Sequence, residues 1–166
     1  MILRKTLLKM QMKRDFGKYI DENTINNIVN NNLERRKPEE IECGYIICEI
    51  IQNDEFENNL EEIIKYSNHN FLIDIYGTII IFSAGKYGWM KDKDINIMEL
   101  INEYVKNIPN NILKNIRCIH GMEIAKIGNY GGNGMYNYMM LLNNFYCKLL
   151  ELNTIKYGEI KKINNE

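Results

Sequence analysis

Residues that could do chemistry are sparse in this 166-residue chain, and the most conspicuous are carboxylates set among apolar neighbours. Glu49 interrupts the run Gly44-Tyr-Ile-Ile-Cys-Glu-Ile-Ile51, where a carboxylate either holds a ligand or reaches solvent or a lysine. Asp74 stands in Phe71-Leu-Ile-Asp-Ile-Tyr-Gly-Thr-Ile-Ile-Ile-Phe82, in which two β-branched-rich runs meet at Tyr76-Gly77. Gly77 can take the positive φ of a tight hairpin, which places residues 74–77 at one end of a sheet, where ligands often sit. His120, ahead of Gly121, reads as a hydrogen-bonding residue at a turn rather than a base. The loop Gly128-Asn-Tyr-Gly-Gly-Asn-Gly134 follows a strand but lacks the Lys-Ser/Thr of a phosphate-binding loop, so it reads as a flexible tip. Cys43, Cys48, Cys118 and Cys147 have neither CxxC spacing nor histidines at zinc-finger intervals, which argues against a metal knuckle.

The elements that must position these residues follow from periodicity. Residues 1–14 form an amphipathic basic helix, with a second helix after Asp21 on Ile25, Ile28 and Val29. A charged connector from Glu34 to Glu42 leads to the strand bearing Glu49. Phe56, Leu60, Ile63 and Ile64 mark a helix over 55–66, and the hairpin follows with residues 78–82 covered on both faces. A helix over 95–105 precedes a second hairpin, 116–119 and 123–127, turning at His120-Gly121. A long apolar helix spans Tyr138 to Leu152, and a short strand covers 153–160. Helices crossing between hairpins predict an α+β fold, a mixed β-sheet covered by helices. The expected domains are the helix 1–14, a single unit over 15–160 and a tail over 161–166.

Charge excludes some partners. Lys plus Arg number 21 and Asp plus Glu 22, so no overall field draws nucleic acid or a membrane surface. The apolar runs near the N-terminus are too short for a membrane span. Cysteines lying inside strands, as Cys48 and Cys118 do, suit a reducing compartment, so a cytoplasmic location is expected.

Taken in order, several segments resemble the class III nucleotidyl cyclase catalytic domain. Phe16-Gly-Lys-Tyr-Ile-Asp21, then a helix, a linker and Tyr45-Ile-Ile-Cys-Glu-Ile50, resembles the entry to that domain, F-G-x-Y-I/V-S/D and a strand V-L-F-x-D-I. Ile79-Ile-Ile-Phe-Ser-Ala-Gly85 is similar to the end of its G-D-x-x-M-A-V-F-G. Ile116-Arg-Cys-Ile-His-Gly121 is similar to R-x-G-I-H-x-G. Tyr136-Asn137 through Asn144 to Lys148-Leu149 is similar to Y-T-x-x-G-x-x-V-N-x-x-x-R-L. The resemblance spans residues 14–160 and rests on order and spacing rather than on any one segment. It implies a ferredoxin-like mixed β-sheet and a dimer that cyclises ATP or GTP. Two aspartates of one protomer hold two metal ions, and an Asn and an Arg, one helical turn apart, reach in from the other. Such chemistry needs charge placed against the α-phosphate and the leaving pyrophosphate.

By that resemblance Glu49 takes the first metal position and Tyr76 the second, and Asp74, two residues earlier on the same strand face, could take its place only if the hairpin turn shifts. Asn144 and Lys148 take the Asn and Arg positions as candidate catalytic residues, and Asn137 a nucleotide-binding position. Leu72 stands where the family reads the base with Lys. Lysine keeps the charge of arginine and loses its bidentate fork. These departures lead to the expectation of a degenerate, non-catalytic domain that works by homo- or heterodimerisation with a cyclase homologue, and by binding ATP or GTP. The alternatives are an active divergent cyclase using Mg2+ or Mn2+, and a partner-binding protein with no nucleotide role.

Overall fold

The strand β1 (Glu39–Ile50) organises the molecule, because both of its faces are greasy and both of its edges are paired. A computed structural model describes residues 2–16, 22–31, 39–67, 70–85, 94–129, 138–142 and 144–164. Two helices, α1 (Ile2–Phe16) and α2 (Glu22–Asn31), precede β1 and pack on each other. After β1 come α3 (Phe56–Tyr66), the hairpin β2 (Leu72–Tyr76) and β3 (Ile79–Gly85), then α4 (Ile97–Asn107) and α5 (Asn110–Leu113). The chain continues through β4 (Ile116–Asn129), β5 (Tyr138–Leu141), α6 (Phe145–Asn153) and β6 (Ile160–Lys162).

The strands lie in the order β2-β3-β1-β4-β5, antiparallel throughout, with β6 added parallel to the first part of β4. This is the ferredoxin-like mixed β-sheet covered by helices, an α+β fold as expected. Even-numbered residues of β1, Ile46, Cys48 and Ile50, meet Ile80, Phe82 and Cys118 on one face, under α3, α4 and α5. Odd-numbered Tyr45 and Ile47 join Ile81 and Ile119 on the other, under Leu152 of α6. Residues 80–85 are buried, as the apolar run over β3 predicts. Gly77 turns the hairpin at φ 63°. Gly44 serves a different need: a Cβ there would lie 2.0 Å from Ile101 Cδ1, so α4 crosses β1 where the strand has no side chain.

Four expectations are corrected. His120-Gly121 is not a turn; β4 runs unbroken from Ile116 to Asn129 and pairs with β1 straight through Gly121, opposite Tyr45. The glycine is there for close approach, since a Cβ would come within 2.9 Å of the Ile163 carbonyl oxygen and the Tyr45 hydroxyl. The helix expected from Tyr138 begins only at Phe145, and Tyr138–Leu141 is strand, because β4 is long enough to offer Lys126–Asn129 as its antiparallel partner. The last strand also comes later than 153–160, at Ile160–Lys162, and β1 starts at Glu39, within the expected connector. The tip from Tyr130 to Asn137 lies outside the described residues.

Candidate functional site

Strand register puts the chemically interesting side chains on one face, the one α6 covers. Across it, Tyr76 pairs with Ile79, Ile79 with Glu49, and Glu49 with Arg117. One pleat further along, Asp74, Ile81, Ile47 and Ile119 form the next row.

Glu49 is held by Arg117. The Arg117 Nε donates to Glu49 Oε2 at 2.6 Å, and Nη2 lies 2.5 Å from the same oxygen. The rest of the guanidinium faces the chain after α6. Nη1 donates to the Ile155 carbonyl at 3.1 Å, Nη2 donates to Asn153 Oδ1 at 2.8 Å, and the group stands 5.1 Å from the Tyr157 ring centroid. Both side chains of the ion pair are largely shielded, at 16% and 19% exposure. Enclosing the pair desolvates both charges, so removing either one strands the other, and most of the arginine's donors are committed.

Asp74 shares the face with Glu49 but does not meet it. The strand β3 runs between them and the register offsets them by two residues, so ladder spacing separates their Cα atoms by about 12 Å. Burial pushes the Asp74 carboxyl up to about 6. Tyr76, level with Glu49, is half exposed and lies 6.5 Å from the Phe145 ring of α6, centroid to centroid. Among the described residues no group of three or more His, Cys, Asp or Glu could hold a metal ion. With Glu49 bound to Arg117 and Asp74 set apart, the pair does not fit a shared two-metal site in this register.

The helix α6 carries the other two candidates. Asn144 stands at its N-cap with φ 50°, exposed, and makes no side-chain capping bond. Lys148, one turn on, reaches Glu123 of β4 at 2.5 Å, with exposures of 11% and 9%, and its ammonium lies 5.0 Å from the Tyr45 ring centroid. Glu123 pairs with Cys43, six residues along β1 from Glu49, so the two ion pairs spring from backbone about 20 Å apart. Within one chain, therefore, Lys148 is not brought to Glu49. Asn137 lies outside the described residues. Sequence reasoning missed the partners, Arg117 and Glu123; each lies across a strand pairing, and only the register reveals it.

This geometry can be compared with solved structures. No family model and no curated protein matches the sequence. The adenylyl cyclase CyaB from P. aeruginosa is similar in structure, with TM-score 0.51 at 13% identity, over 75% of this chain and 78% of that one. A bacterial light-regulated adenylyl cyclase gives 0.54 at 15% identity, over 92% of this chain and 50% of that one. The fold is that of a class III nucleotidyl cyclase domain. Identities this low speak for the fold alone, and the chain spans half the length of the light-regulated enzyme. No helix among the described residues is long and apolar enough to cross a membrane. All four cysteines are free, and Cys48 and Cys118 face each other in the core.

Proposed function

We propose that this chain is a degenerate nucleotidyl cyclase-like domain that does not catalyse, and that it acts in signalling as a homodimer, or as a heterodimer with a cyclase homologue, with ATP or GTP as its ligand. One observation carries the reading: level with Glu49, where the resemblance calls for a second metal carboxylate, the chain has Tyr76. Asp74 is a strand away and one pleat off. Cyclisation places charge on the α-phosphate and on departing pyrophosphate, and losing one of two metal carboxylates removes most of the means of stabilising it. The lone charge of Lys148 is a weaker substitute for an arginine fork, and it is paired with Glu123. In a heterodimer the homologue would supply both carboxylates, and this chain would offer Asn144, Lys148 and Asn137 to the nucleotide. The location expected for such a domain is the cytoplasm.

A divergent active cyclase is the second reading: Glu49 and Asp74 lie on one face, and catalysis through both would need the hairpin to shift in register so as to bring them together. Mg2+ or Mn2+ bound at those carboxylates would supply the Lewis acid in that case. Isothermal titration with ATP and with GTP, each in Mg2+, in Mn2+ and in a chelator, separates the two when cyclic product is assayed in the same samples. Nucleotide heat without product supports the degenerate reading. Metal-dependent binding with product overturns it, and the absence of both heat and product removes the nucleotide from it.

A further inference from the structure

We infer that Arg117 is the resident cation of Glu49: it occupies the carboxylate that the cyclase resemblance assigns to a metal and uses it to clamp the chain after α6 onto the sheet. Only the labelling of Glu49 as a metal position rests on the cyclase reading; the clamp stands without it.

Charge favours the arginine over a metal. Glu49 and Arg117 neutralise each other in a largely shielded pair, through two guanidinium nitrogens on one carboxylate oxygen. A divalent ion at that carboxylate would sit against the guanidinium. Tyr76 and Ile79, which fill the rest of the row, bring no second carboxylate to offset the repulsion. The remaining donors explain what the pair is for. Asn153 ends α6, and Ile155 and Tyr157 belong to the segment that returns to the sheet as β6; Arg117 contacts all three. Around it that segment is docked by main-chain bonds, Gly158 N–H to the Ile116 carbonyl at 2.6 Å and Cys118 N–H to the Glu159 carbonyl at 3.1 Å. The guanidinium's planar fork suits this work, because it can serve a carboxylate, a carbonyl and an amide oxygen together while stacking on a ring. Arg117 is thus a positioning residue: through Asn153 it sets the end of the helix whose beginning bears Asn144 and Lys148.

The test uses the full chain as wild type, Glu49→Gln and Arg117→Lys. Free Mn2+ is followed by its paramagnetic resonance signal, and amide hydrogen exchange is followed residue by residue. Wild type is expected to bind no Mn2+ more tightly than about 1 mM. Glu49→Gln is expected to speed exchange of amides 152–159 by about tenfold or more while α3 and α4 keep their protection. Should Glu49→Gln fail to fold, Arg117→Lys gives the same reading, since it keeps the charge and loses the fork; protection is then lost over 153–158 alone. Tight Mn2+ binding in wild type that disappears in Glu49→Gln would overturn the inference, as would variants with exchange unchanged at 152–159. Nucleotide binding in the presence of a chelator is unaffected by either outcome, so failure here is distinguishable from failure of the cyclase-like reading.

Discussion

Asp74 is the least comfortable carboxylate of the sheet. It is half-buried beside Ile81 and Tyr76, and burial is what raises it to about 6. A folded-state pKa raised above the unfolded value near 3.9 means that the fold prefers the protonated acid. The associated stability is fully present below the unfolded value and is lost as pH rises through about 6. Asp74→Asn is therefore expected to stabilise the protein at pH 7.5 by on the order of 1–2 kcal/mol, after discounting for partial exposure, and to change little at pH 4. Thermal melts at the two pH values check it, with a shift of a few degrees expected at the higher one. His120 titrates with the opposite sign. Burial first, then Lys162, lower its pKa, so its contribution is present above about 6.5 and lost as pH falls. The variant must accordingly be compared with wild type at each pH. An equal shift at both would show that deprotonation of Asp74 is not what costs stability.

Among the elements, α6 depends on its anchors more than on its own sequence. Its interior contacts come from Phe145 and Leu152, and its one buried charge is Lys148 on Glu123. Removing one member of so enclosed a pair strands the other, so Lys148→Met is expected to cost about 3 kcal/mol in denaturant unfolding. Combining it with Glu123→Leu should recover much of the loss, since two apolar residues leave no orphan; strictly additive losses would rule out a coupled pair. Much of the fold was legible at this scale. Gly77 and its β-branched flanks define the hairpin, and Ile63 and Ile64 define the buried side of α3, because the signals are local. What was not legible was long-range. Gly121 looks like a turn until the Ile163 carbonyl is seen beside it, and Arg117 lies 68 residues from Glu49, where no periodicity could pair them. Glu49 and Lys148 could be singled out from the sequence, but not the residues that hold them.

Seen whole, the described residues leave apolar side chains exposed on several elements, and two helix pairs among them are candidates for the dimer proposal. On α6, Tyr146 and Leu150 are 72% and 48% exposed and one turn apart; on α1, Leu7 and Met10 are 60% and 65% exposed, three residues apart. The resemblance directs the helix bearing Asn144 and Lys148 toward a partner, which selects α6. A stable interface buries about 1,600 Å2 in all, so neither pair suffices alone, but apolar anchors within an interface carry a disproportionate share of its energy. Light scattering over a range of concentrations is expected to show a dimer. Tyr146→Ser with Leu150→Ser should weaken it about tenfold or more and leave the melting temperature nearly unchanged, because these side chains support little of the monomer. Should Leu7→Gln with Met10→Gln weaken the dimer instead, association runs through α1, and α6 is free to face a nucleotide or a different chain. A wild type that stays monomeric at every concentration would eliminate the homodimer. The heterodimer would then be the form of the proposal that remains, with a homologue supplying the carboxylates that the resemblance places at the positions of Glu49 and Tyr76.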